Sequence, residues 1–140
     1  MKPFIPMLAL LVFCSAAAPE SWADPTEMCP RADDYADIIS LKVFETHGGK
    51  LVLIRPPDLS GIRRGSGYAS YHLVVLTDGA AFVGGADGVT LRKPNLSLEL
   101  ISRLGRMRYE PPKLAGKPVC VGFDVRWKAE SPQAYEIVHR

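Results

Sequence analysis

LISRLGRMRYEPPKLAGKPVCVGFDVRW, residues Leu100–Trp127, decides the fold. Leu100, Ile101, Leu104 and Met107 recur at helical spacing and predict one apolar helix face. Pro111 and Pro112 stop that helix and fix an extended exit. Gly116-Lys117-Pro118 reads as a turn. From Val119 the period changes to two, with Val119, Val121, Phe123, Val125 and Trp127 on one face. Cys120, Gly122, Asp124, Arg126 and Lys128 fall on the other. That face is mostly polar, so the spacing predicts a half-buried antiparallel strand over Pro118–Lys128.

Upstream, Tyr68–Thr77 alternates as a strand, with Tyr71, Leu73, Val75 and Thr77 on one face and His72, Val74 and Leu76 on the other. Asp78-Gly79 is a hairpin turn. Ala80–Gly84 returns, and Gly85–Gly88 reads as a loop without the acidic ligand pattern of a calcium site. The helix runs from about Leu96 to Met107, with Asn95 or Ser97 as its cap and Glu99 near its positive end. These elements predict an α+β fold: an antiparallel sheet of three or more strands with one helix packed on it.

Arg108-Tyr109-Glu110-Pro111 followed by Gly116-Lys117-Pro118-Val119 before the alternating strand resembles the C-terminal domain of TonB, which links an inner-membrane energy source to outer-membrane transporters. The hairpin Tyr71–Val83 is similar to that family's first hairpin. The likeness covers residues 56–128. It implies a periplasmic protein-binding module that engages an envelope or outer-membrane transport protein by strand addition at a sheet edge. It places the C-terminal strand at or near that edge, with Tyr109, Val121, Phe123, Val125, Arg126 and Trp127 meeting the partner. Proline at Phe123 or Val125 would then abolish partner capture. The family proper carries an uncleaved anchor and a long proline-rich spacer. Neither is expected here, so energy transduction is not carried over.

Residues 1–23 read as a signal peptide. Lys2 precedes an apolar run from Met7 to Cys14, and Ser21-Trp22-Ala23 is a small-x-small cleavage signal. The run is shorter than the ~20 residues that span a bilayer, and Phe13 before Cys14 argues against lipidation. Export exposes Cys29 and Cys120 to an oxidising compartment, which predicts a disulfide between them. An N-terminal segment would then cross the polar face of the last strand.

Residues 24–55 form an N-terminal extension. Over 31–44, Tyr35, Ile38, Ile39, Lys42 and Val43 suit a helix capped by Asp33 or Asp34, whereas Ile39, Leu41 and Val43 alternate as a strand. Gly48-Gly49 before Leu51–Ile54 supports the second alternative, a β-hairpin. Residues 129–140 read as a tail.

The net charge of +2 is built from mixed signs, without a basic helix or interleaved aromatics, so no nucleic-acid partner is expected. His47, His72 and His139 lack metal-ligand spacing, and no metal or cofactor is expected. Asp33, Asp34 and Asp37 look like a solvated cluster. Gly65-Ser66-Gly67 fits neither a phosphate loop nor a nucleophile elbow, and no serine or cysteine has a recognisable base. No catalytic residue is therefore assigned. Two other functions remain open: a small secreted enzyme or enzyme inhibitor on a similar frame, and a homodimer formed by edge-strand pairing.

Overall fold

The computed structural model describes Cys29, residues 37–91 and residues 93–138. In chain order the elements are β1 (Ile38–Ser40), α1 (Leu41–Thr46), β2 (Leu53–Arg55), β3 (Tyr68–Val75), β4 (Ala81–Val89), α2 (Pro94–Leu104), β5 (Arg108–Tyr109), β6 (Lys113–Leu114), β7 (Lys117–Pro118), β8 (Cys120–Lys128) and β9 (Tyr135–Val138). The fold is α+β around a mixed sheet of order β1-β8-β3-β4, with β9 also beside β8. The signal peptide, most of the 24–36 segment and His139 lie outside the described residues.

The alternation of β3 and β8 does what their sequences predict. Their antiparallel ladder runs from Tyr68↔Lys128 to Val75↔Val121. Tyr71, Leu73 and Val75 join Val121, Phe123, Val125 and Trp127 in one core, closed by Leu100, Leu104 and Met107 from α2 and the residues after it. The period-two pattern sends the remaining residues through the sheet. There Cys29, Val74, Leu76 and Cys120 form a second, smaller buried cluster, with Ile38 and Phe82 packed against it. The Cys29–Cys120 disulfide is present, with Cα atoms 5.6 Å apart and a sequence separation of 91.

Several local expectations are corrected. The N-terminal hairpin does not form. β1 instead pairs parallel with β8, Ile39 opposite Val121, and β2 pairs with β5. Gly48-Gly49 ends a helix rather than turning a hairpin. The Gly48 amide donates to Glu45 O at 3.0 Å and the Gly49 amide to Phe44 O at 2.8 Å, with Gly48 at φ +86°. That is the double bond of a glycine-closed helix terminus. Ser40 closes the other end by accepting from the Val43 amide at 3.2 Å. Leu41 and Phe44 then point inward together, three residues apart as a helix requires.

β4 is longer than expected and includes Gly85–Gly88, with register shifts opposite Ser70/Tyr71 and His72/Leu73. α2 begins at Pro94 after a Lys93 N-cap without a side-chain bond. Proline suits the first turn because its missing amide has no partner there anyway. Ser97 is not a cap, and its hydroxyl meets the Tyr71 hydroxyl at 2.9 Å. Residues 129–140 are not simply a tail, because Tyr135–Val138 form β9 against Asp124–Trp127. The Trp127 indole donates to Pro132 O at 2.9 Å and holds the return turn.

The disulfide ties Cys29, nine positions before the three-residue β1, to Cys120 in the central strand β8. Replacing both Cys29 and Cys120 by serine is expected to cost about 2–4 kcal/mol in denaturant unfolding. Hydrogen exchange should accelerate first at Ile38–Ser40, and an unchanged unfolding midpoint would refute that coupling.

Candidate functional site

The residues assigned to partner binding are brought together, but mostly inside the protein. Val121 and Val125 are fully buried, Trp127 is 1% exposed, and Phe123 and Tyr109 are 5% exposed. Tyr109 stacks edge-on against Phe123, with ring centroids 6.3 Å apart. Burial pushes its phenol pKa well above the usual value.

The backbone of β8 is occupied as well. β3 covers one side, while β1 and β9 share the other. β8 is therefore a central strand, and the expected edge at Pro118–Lys128 does not exist. Proline at Phe123 or Val125 would break the sheet itself, so loss of capture by such a variant would say nothing about docking. Only Arg126 keeps its expected exposure. It lies 6.0 Å from the Tyr68 ring centroid, beside Lys128, which pairs with Glu136 at 3.5 Å.

The polar face of β8 carries one ordered pair. His72 Nδ1 donates to Asp124 Oδ1 at 2.9 Å, and the Asp124 side chain is only 7% exposed. Gly122 makes room for this ring, since a Cβ there would come within 3.3 Å of His72 Cε1 and 2.9 Å of Ile38 Cγ2. The pair borders a cleft of about 160 Å³ whose lining includes Ser40 and Lys42. Ser40 Oγ is engaged with the Val43 amide, and no described nucleophile bonds the other nitrogen of His72. No group of three or more metal-ligating side chains occurs among the described residues.

A different surface stands out at β2. Leu51 turns partly inward against the core. Val52, Leu53 and Ile54 remain 38%, 39% and 61% exposed. β2 pairs only with β5, and Val52 O accepts from the Glu110 amide at 2.9 Å. In an antiparallel ladder the backbone polar groups alternate sides, so those of Leu53 face away from β5. A register shift between Leu53 and Arg55 turns Ile54 outward. Leu51–Ile54 was expected to be one strand of an N-terminal hairpin, and the structure instead pairs β2 with β5.

The C-terminal end of this strand opens on a cleft of about 430 Å³ lined by Arg55, Asp58, Glu99, Arg103 and Arg106, among others. Arg103 holds the cleft's framework. Its guanidinium donates to Asp58 O at 2.7 Å, to Ser60 O at 2.8 Å and to Glu99 Oε1 at 2.7 Å. The Ser60 hydroxyl and amide, with help from Arg103 and Arg106, hold the Asp58 carboxyl below the usual carboxylate pKa.

β2 keeps its place through β5, and β5 through the Asp78-Gly79 turn. The Tyr109 amide donates to Gly79 O at 2.9 Å, and Ala80 bridges Arg108. Comparison with protein-family models finds no matching family, and comparisons with curated proteins and with solved structures find no match either.

Gly79 sits at φ +86°, and a Cβ there would lie 2.0 Å from the Tyr109 carbonyl oxygen. The obstacle is backbone, so it cannot swing aside. Gly79→Ala is expected to cost about 2–4 kcal/mol in denaturant unfolding and to loosen β5 and β2 together. Gly116→Ala, at φ +77° with open space around its would-be Cβ, should cost only about 1 kcal/mol. Equal costs for the two would remove the close approach as the cause.

Proposed function

We propose that this chain is an exported, non-catalytic protein-binding module akin to the TonB C-terminal domain. It takes an extended segment of an envelope protein, such as an outer-membrane transporter, onto an open strand. The observation that carries this reading is the exposure of three consecutive apolar side chains, Val52, Leu53 and Ile54, on an outer strand. Runs of this kind are avoided on surfaces that have no partner. The order hairpin, helix, strand along the chain is the feature of the resemblance that this reading keeps, while the docking edge moves from β8 to β2. The disulfide agrees with export to an oxidising compartment. No helix among the described residues is long and apolar enough to cross a membrane.

Among the other open edges, the longest is less suited to the task. β4 is longer, but its two register shifts interrupt the regular spacing that an added strand needs. At β2 the apolar contribution is modest. Completing the burial of three roughly half-exposed side chains is worth about 3 kcal/mol, while association costs at least about 4 kcal/mol. Backbone bonds along Leu53 or polar contacts beyond Ile54 must supply the surplus, and the complex is expected to be transient.

A second reading, a small secreted enzyme, is favoured by one feature, the His72 imidazole oriented by a buried carboxylate beside a cleft. It still needs a nucleophile or substrate group on the other ring nitrogen.

A photo-crosslinking side chain at Ile54 in the full chain is expected to yield a discrete adduct with an envelope protein. The same group at exposed Lys117 should yield none, and Leu53→Lys should erase the Ile54 adduct, because an edge lysine blocks strand addition. Equal adducts at both positions, or none at Ile54, would overturn the reading. An adduct with a second copy of this chain would replace it by the homodimer.

A further inference from the structure

The apolar run does not end in neutral surface. Arg55, the last residue of β2, stands opposite Arg108 of β5 in the antiparallel register. Like charges directly across a ladder repel. Arg106 lies two residues before Arg108 and lines the same cleft as Arg55. The nearby acids relieve this group only in part, since Arg106 feels the Asp58 charge while both cleft acids have closer partners. Glu99 is bonded to Arg103, and Asp58 accepts from the Ser60 amide and hydroxyl. Glu110 forms no ion pair with any described residue. Arg108 uses one nitrogen on the Gly105 and Met107 carbonyls. The guanidinium groups of Arg55 and Arg106 make no hydrogen bond or ion pair with any described residue. Both are exposed.

We infer that the occupant of β2 is an extended protein segment whose apolar residues cover Val52–Ile54 and whose carboxylates, at the end abutting Arg55, lie among Arg55, Arg106 and Arg108. This inference rests on the strand-addition reading and adds the partner's chemistry. Guanidinium groups bind carboxylates through paired N–H donors, and a carboxylate between Arg55 and Arg108 turns a repulsive cross-strand pair into a bridged one. The apolar run sets where the segment lies. The arginines set which end points to the cleft.

The probes are end-blocked peptides of alternating leucine and serine. They carry two aspartates at the N-terminal end, two at the C-terminal end, or asparagines in their place. Binding to the full, disulfide-bonded chain is followed by backbone amide chemical shifts at low and physiological ionic strength. One aspartate peptide is expected to shift the Leu53–Arg55 amides and to bind about tenfold more tightly than its asparagine counterpart, as a few exposed ion pairs allow. That difference should shrink as salt is added. It should vanish in Arg55→Gln with Arg106→Gln, whose exposed positions leave the thermal midpoint unchanged.

Equal binding of aspartate and asparagine peptides, both lost in Ile54→Lys, overturns this inference and leaves strand addition at β2 standing. An aspartate preference that survives in the double variant also overturns it, because the charge is then read elsewhere. If no peptide shifts the β2 amides, this inference and the reading beneath it fall together.

Discussion

Every other part of the protein is arranged around the ladder between Tyr68–Val75 and Val121–Lys128. It aligns two alternating sequences so that one set of side chains faces α2 and the other faces the Cys29 segment. A slip of one residue would exchange those sets. It would carry Val121, Phe123, Val125 and Trp127 out of the main core and bring Asp124 in. The cost of that exchange makes the register unique. With the register set, Trp127 reaches Pro132 O and places β9, while Cys120 lies on the face where Cys29 can reach it.

The features readable from sequence were those that depend on neighbours close along the chain. The alternation of β3 and β8, the Asp78-Gly79 turn and the apolar stripe of Leu100, Leu104 and Met107 all declare themselves by spacing. The disulfide was also readable, because it needs only two cysteines and the expectation of an oxidising compartment. The hairpin was misread because a Gly-Gly pair serves equally to turn two strands and to close a helix. The deciding residues were Leu41 and Phe44, whose burial three residues apart favours α1. That preference arises from the core waiting for them and not from local propensity.

The supposed edge at β8 failed for a related reason. Gly122, Asp124 and Arg126 look like a solvated face, and a strand with one wet face is readily taken for an outer one. Here Gly122 is small because Ile38 and His72 crowd it. Asp124 is buried because His72 bonds it. The strands that flank β8 come from segments with weak signatures, a three-residue β1 and a β9 reading Tyr-Glu-Ile-Val. Which strand lies beside which is a long-range property, and it left no local mark.

Closing the β8 edge also changes what the exposed apolar residues mean. The chain covers the backbone of its central strand β8 with β1 and β9, and anchors Cys29, ahead of β1, to that strand through a covalent link. It interrupts its longest free edge, β4, with two register shifts. Both are known means of keeping sheets from pairing at random. Against that background Val52–Ile54 is an exception. A strand protected only by its shortness, a bulge and the prolines that follow it limits how much backbone a partner can engage. It still leaves three apolar side chains in water. Such a surface is too small for indiscriminate aggregation, and it suits the short extended segment proposed for it. The clustered arginines at its end then provide the discrimination that so few apolar contacts lack, since a segment of the wrong charge would meet repulsion where the right one meets Arg55 and Arg106.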